Sequence, residues 1–182
     1  MLKLVSNPLF WGRFIGGRLL QPTYHVKNIN ELRQFDVENK YKGFIFDVDN
    51  TLTSHHMPEL HDSVKGYFQK LCKSHKVVIF SNCGPRRHAE LLTMFKVPVV
   101  GVGFKKPYKE GFDQALELLG LPKEEVLMVG DRLLTDIYGA NLGKIDCALV
   151  DPFDNLEPSL IRRIRRLERL RLKYIKPKFT VT

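Results

Sequence analysis

The strongest constraint on the fold is an alternation that runs from Gly43 to Val150. Short apolar runs recur there, each followed by a stretch with helical spacing. Residues 43–47 (GFIFD), 76–81 (KVVIFS), 97–102, 126–130 (VLMVG) and 147–150 read as strands. Residues 62–74, 85–95, 109–119 and 133–142 read as the helices between and after them; in the first, Val64, Tyr67, Phe68 and Leu71 share one face. Nearly continuous apolar strands linked by helices imply right-handed crossovers and a parallel sheet covered on both sides. The expected class is therefore α/β, a Rossmann-like three-layer sandwich around a central parallel sheet.

Such sheets bind ligands beyond the carboxyl ends of their strands. Polar residues that end each apolar run should then converge. They are Asp47 and Asp49 after the first run, Ser81 and Asn82 after the second, Lys106 after the third and Asp131 after the fourth, with Asp136 five residues on. Clustered carboxylates repel unless a cation neutralises them, and hard oxygen donors suit Mg²⁺. Lys106 and the Ser81 hydroxyl supply the positive charge and hydrogen-bond donor that a phosphoryl group needs. Taken singly, each residue has an ordinary explanation. An aspartate at a strand end serves as a turn or cap residue, Ser81 can cap the next helix, and Lys106 can be a surface lysine. Their joint order is what gives them chemical meaning.

That order resembles the haloacid dehalogenase-like (HAD) phosphatase superfamily. Four signatures occur in sequence: DxDxT at residues 47–51, Ser81, Lys106 before Pro107, and Gly130-Asp131 with Asp136. They are separated by 34, 25 and 25 residues, counted from Asp47 to Ser81, Lys106 and Asp131 in turn. The resemblance implies that Asp47 attacks phosphorus to form an aspartyl-phosphate and that Asp49 acts as general acid and base. It implies Mg²⁺ held by the Asp47 side chain, the Asp49 carbonyl and Asp131, with Asp136 orienting the metal shell or the lysine. Ser81 would bind the transferring phosphoryl group and Lys106 would balance its charge. Thr51 braces the loop and, with Asn82 and Arg132, is a candidate substrate contact. Neither usual insertion point has room for a cap domain, since residues 52–61 form only a short loop and residues 82–105 hold one helix and one strand. The motif sequences, including GDRLLTDIYGAN at 130–141, are similar to the capless subclass IIIA family, which includes mitochondrial phosphatidylglycerophosphate phosphatases and related bacterial proteins. Cys83-Gly84-Pro85 departs from the more polar loop expected after Ser81.

Charge placement extends the reading. Most of the formal net charge of +9 lies in residues 159–178, with six arginines and three lysines against one glutamate. Leu160, Ile164, Leu167, Leu170 and Tyr174 form a helical stripe there, with Arg162, Arg165, Arg166 and Arg169 away from it. Such a helix either rests on anionic lipid, at about 1 kcal/mol per basic residue, or packs on the domain with a solvated basic face. No acid precedes Glu31, and Leu9, Phe10, Trp11, Phe14 and Ile15 are apolar, so the N-terminal segment has the same two readings. Pro8 and Arg13 interrupt it in a way that suits a secretory signal poorly, and the chain has no run of about 18 apolar residues to suit a membrane span. The expected organisation is an interfacial segment at 1–30, a phosphatase domain at 31–158 and a basic helix and tail at 159–182. The charge suggests an anionic phospholipid surface as partner, and the resemblance to the subclass IIIA family implies a phosphorylated lipid as substrate, at the matrix side of the mitochondrial inner membrane or the bacterial cytoplasmic face. Arg86, Arg87, Arg132 and Lys105 are candidate headgroup contacts. A nucleic-acid partner for the arginines is the alternative, but no stacking platform of aromatics accompanies them. A soluble phosphatase for small metabolites is a third reading. Three cysteines without metal-site spacing read as free thiols, and His55, His56 and His61 as loop histidines rather than a metal cluster. The sequence sets no oligomeric state.

Overall fold

A computed structural model of the chain describes residues 17–55, 57–154, 156 and 158–180. The apolar segment before residue 17 and His56 lie outside the described residues.

All the strands run parallel. In chain order they are β1 (Tyr24–Val26), β2 (Gly43–Phe46), β3 (Lys76–Phe80), β4 (Val99–Val100), β5 (Val126–Gly130), β6 (Asp146–Val150) and β7 (Phe179–Thr180). They form one sheet in the order β4-β3-β2-β5-β6-β1-β7, which puts β2 between β3 and β5. The helices are α1 (Val37–Lys40), α2 (Asp62–Ser74), α3 (Pro85–Phe95), α4 (Lys109–Leu119), α5 (Tyr138–Gly143) and α6 (Ser159–Leu172).

The three layers follow from the two-residue period of a strand. Phe44 and Phe46 of β2, Val77 and Ile79 of β3, and Leu127 and Val129 of β5 face one core with Val64, Phe68 and Leu71 of α2 and Leu91 and Phe95 of α3. Their alternates Ile45, Val78, Phe80, Val126 and Met128 face a second core with Phe112, Ala115 and Leu119 of α4 and Ile164 of α6. Edge-to-face rings join the layers, Phe46–Phe68 at 5.4 Å on one side and Phe80–Phe112 at 5.1 Å on the other. Each such side chain, fully buried, contributes about 1.5–3 kcal/mol through removal from water.

Three features depart from the sequence reading. The third strand covers only Val99–Val100 instead of residues 97–102. The helix expected at 133–142 opens as a π turn, Leu133–Ile137, before α5. There the Arg132 carbonyl accepts from both Asp136 N (3.0 Å) and Ile137 N (3.2 Å), and π turns of this kind gather at functional sites. Two short strands, β1 and β7, extend the sheet beyond β6; Tyr24 pairs with Ala148 on one side and Phe179 on the other. The described part of the N-terminal segment thus packs on the body, with Leu20 fully buried.

Candidate active site

The site is assembled at the carboxyl edge of the three central strands. Phe46, the last residue of β2, lies opposite Ile79 of β3 and Val129 of β5. Asp47, Ser81 and Asp131 are therefore the first residues past three neighbouring parallel strands, brought together by register alone. The Asp47 amide still donates to the Val129 carbonyl (2.9 Å), and the Ser81 amide to that of Val100 (3.0 Å), so both are anchored as they leave the sheet. The loop after Asp47 then winds tightly. Asn50 takes a left-handed conformation at φ 65°, a region asparagine tolerates better than most residues. The Asn50 amide donates to the Thr53 carbonyl (2.7 Å), and Thr51 Oγ1 donates back to Asp47 Oδ2 (3.4 Å).

Lys106 is the electrostatic centre. Its side chain is 2% exposed, and its ammonium contacts Asp47 Oδ1 and, at 2.7 Å, Asp136 Oδ1. Burial disfavours that charge, but Asp136 and Asp47 outweigh it and hold the Lys106 pKa above its ordinary value. Burial pushes the Asp47 carboxyl up to about 7; Lys106 opposes the rise, while Asp136 and Asp49 add to it. Asp131 is raised well above the usual range by burial, against the pull of Arg165. The second oxygen of Asp136 accepts from the Arg132 amide (3.0 Å). Gly130 makes this approach possible, because a Cβ there would meet Asp136 Cγ and Oδ2 at 2.5 Å.

The residues fit a hard divalent cation. Asp47, Asp131 and Asp136 each offer a carboxylate oxygen, all within 4.8 Å of one another. Asp131 Oδ1 is buried and has no hydrogen-bond partner, although such acceptors are nearly always satisfied. A cation among these oxygens would satisfy it and relieve the repulsion that raises Asp47 and Asp131. The Asp49 side chain stands outside that group, 27% exposed, with Arg87 Nη2 at 3.9 Å.

Other expected site residues are placed differently from one another. Ser81 is buried at the strand end beside Cys83. Asn82, a candidate substrate contact, has both ends of its amide committed to the main chain of Lys106, accepting from N (2.7 Å) and donating to O (3.0 Å). Arg132 Nε lies 3.7 Å from Glu168, and its Nη2 is buried with no hydrogen-bond acceptor. Arg86 is almost fully exposed and Lys105 is exposed, whereas Arg87 donates to the Met57 carbonyl and Glu90. His61 accepts from Ser63 N at the start of α2 and stacks on Phe153 at 4.1 Å, and the His55 amide donates to Asp154. The cysteines are free thiols. Among the described residues no cap covers the site: a short loop fills the first insertion point, and helix α3 with strand β4 the second.

Comparison with known proteins gives this geometry a lineage. The chain is 33% identical over 164 residues to "Probable phosphatase YqeG" of Bacillus subtilis, covering 86% of this chain and 92% of that protein. The chain belongs to the HAD phosphatase superfamily. A HAD-hydrolase-like family model matches residues 103–152, which span Lys106, Asp131 and Asp136. The HAD fold is also that of a solved structure from Lactobacillus plantarum titled "putative phosphoglycolate phosphatase", with TM-score 0.56 and 13% identity, covering 79% of this chain and 95% of that one. The chloroplastic/mitochondrial phosphatidylglycerophosphate phosphatase 1 of Arabidopsis thaliana is 29% identical over 165 residues, covering 82% of this chain but 47% of that protein.

Two residues of this HAD site escape sequence reasoning. Arg165, expected on an exposed basic face that either rests on lipid or is solvated, is 4% exposed and pairs with Asp131 at 2.5 Å. Glu168, a lone acid among arginines, is 3% exposed and accepts from the Leu134 amide (3.0 Å). The expected stripe of α6 splits accordingly. Ile164 is buried, while Leu160, Leu167, Leu170 and Tyr174 are 44–79% exposed. The isolated Glu168, an odd charge in a basic run, was the available signal.

Proposed function

We propose that this protein is a divalent-cation-dependent phosphomonoesterase that acts on phosphatidylglycerophosphate at a membrane surface. The observation that carries the reaction is Asp47 at an uncapped strand edge, gripped by Lys106 and facing the unpartnered Oδ1 of Asp131. The Asp47 carboxylate attacks phosphorus in line, the P–O bond to the leaving alcohol breaks, and Asp49 donates a proton to that oxygen. Asp49 then takes a proton from water, which attacks the aspartyl-phosphate, releasing phosphate and restoring Asp47. Lys106 holds Asp47 in place throughout and offsets charge on the phosphoryl oxygens. Ser81 donates to one of those oxygens, and Asn82 keeps Lys106 in register through its main chain. Asp131, Asp47 and the Asp49 carbonyl would hold Mg²⁺, which when bound supplies charge neutralisation to the phosphoryl group.

The lipid assignment rests on three supports: the uncapped edge, the outward face of α6 and the Arabidopsis relative. Leu160, Leu167 and Leu170 are exposed on a helix that also carries exposed Arg163 and Arg166, a composition suited to an anionic interface. Among the described residues no helix is long and apolar enough to cross a membrane. The test is phosphate release from phosphatidylglycerophosphate, phosphatidic acid, nucleotides and sugar phosphates. The expected ranking puts the first highest, with Asp47→Asn inactive yet folded by circular dichroism. Retained activity in Asp47→Asn would remove the nucleophile assignment. Strong turnover of soluble esters with none of phosphatidylglycerophosphate would remove the lipid assignment. Flotation with anionic vesicles beside oligonucleotide binding separates the membrane from nucleic acid as partner of α6.

A further inference from the structure

A basic surface helix would be expected to turn every arginine to solvent, because a buried guanidinium needs a partner for its charge and its donors. Arg165 of α6 does the opposite. Its Nη2 meets Asp131 Oδ2 at 2.5 Å, and its Nη1 donates to the main-chain oxygen of the same residue at 3.2 Å. Two donors of one rigid fork thus hold the side chain and the backbone of a single aspartate. The grip leaves Oδ1 as the carboxylate oxygen without a hydrogen bond, in the residue that clusters with Asp47 and Asp136. The helix is held at this depth by Ile164 in the second core and by Glu168, which accepts from Leu134 N and faces Arg132. Arg165 and Glu168 are 34 residues from the groups they bind, so the contact is tertiary and not a consequence of the local motif.

We propose that Arg165 is a positioning residue of the phosphatase: it locks Asp131 so that Oδ1 is presented to the divalent cation, making α6 part of the cation site. The inference rests on the cation-dependent reading above. A carboxylate free to rotate about its last torsion loses rotamer entropy on binding metal, and the groups that restrain metal ligands in this way change affinity or activity by roughly 10–100-fold when removed. The opposite effect is also physically available. A guanidinium beside Asp131 repels a cation, so if charge outweighed orientation, removing Arg165 would tighten binding. The two effects differ in sign, which makes the proposal decidable.

The experiment titrates Mn²⁺ into the full chain by calorimetry and by the loss of free-ion EPR signal, for wild type, Arg165→Gln, Arg165→Lys, Glu168→Gln and the exposed control Arg162→Gln. Arg165→Gln is expected to weaken Mn²⁺ binding roughly 10–100-fold. Arg165→Lys restores the charge but not the two-point fork, so its fold is recovered while its affinity stays several-fold weak. Glu168→Gln, which loosens the seat of α6, is expected to weaken binding by a smaller factor, and Arg162→Gln to leave it unchanged. Phosphate release by wild type and the Arg165 and Glu168 variants should show the same order, with the rate deficit of Arg165→Lys shrinking as Mg²⁺ is raised. Wild-type Mn²⁺ affinity or tighter in folded Arg165→Lys would overturn the proposal, whether or not Arg165→Gln folds. If wild type itself neither bound Mn²⁺ nor released phosphate, the cation-dependent reading would fail instead.

Discussion

Replacing Lys106 by methionine keeps an unbranched apolar stem out to the ε position and deletes the ammonium. That group is 2% exposed and is shared between Asp47 and Asp136, which are themselves largely or wholly buried. Its loss leaves buried carboxylates facing one another without their common countercharge. Breaking a buried pair by removing one partner costs about 3–5 kcal/mol. For a chain of this size each kcal/mol moves Tm by about 2–4 °C, so metal-free Lys106→Met should melt about 6–20 °C below wild type. The decisive measurement is a double-mutant cycle with Asp47→Asn, by denaturant unfolding without metal. Asp47→Asn alone removes a carboxylate whose ionisation burial opposes, so it should be near neutral or stabilising. In the Asp47→Asn background the lysine has lost one of its two partners, so its removal should cost less by about 1–3 kcal/mol. Phosphate release should vanish in all three variants. If the two substitutions were additive within about 0.5 kcal/mol, Lys106 would not be the shared countercharge and the account of the site would be wrong.

Other consequences are equally direct. Gly130→Ala would drive a methyl into Asp136, so it should lose about 1–3 kcal/mol and most phosphate release, whereas an unperturbed enzyme would deny the close approach. Without metal, burial holds Asp47 at about 7, so its carboxyl is about half protonated at pH 7, and a cation bound there must displace that proton. Mg²⁺ binding should therefore release protons at pH 7 and fewer at pH 9, measured by calorimetry in buffers of different ionisation enthalpy; equal release at both would contradict the buried cluster. At Asp146, burial favours the neutral acid, but Tyr41 (2.6 Å), Lys40 (3.0 Å) and Thr23 (3.2 Å) hold its pKa below 3.8. Its folded value being depressed, the stability it contributes is complete above the unfolded value and is lost as pH falls through the folded one. Wild type should thus out-melt Asp146→Asn at pH 7 by a margin that shrinks toward pH 3, and a constant margin would exclude this linkage.

The alternation from Gly43 to Val150 determined the α/β layering, because a two-residue period allows β2, β3 and β5 to feed opposite cores only inside a covered sheet. It also determined where chemistry would sit. In a parallel sheet the residues ending each run share one edge, and Asp47, Ser81 and Asp131 do. Edge strands were beyond its reach: β1 and β7 are three and two residues long, too short for any period. Local pattern likewise could not say that Asn82 clasps the Lys106 main chain, or that the helix after Arg132 opens with a π turn to bring Asp136 to the lysine. The sharpest divide runs through α6. Helical spacing grouped Arg165 with the arginines around it, and only the docking of the helix buried it against Asp131 while leaving Arg162, Arg163 and Arg166 outside. Periodicity reports which residues share a face of their own helix; which face turns inward depends on partners 34 residues away, and packing alone selects those.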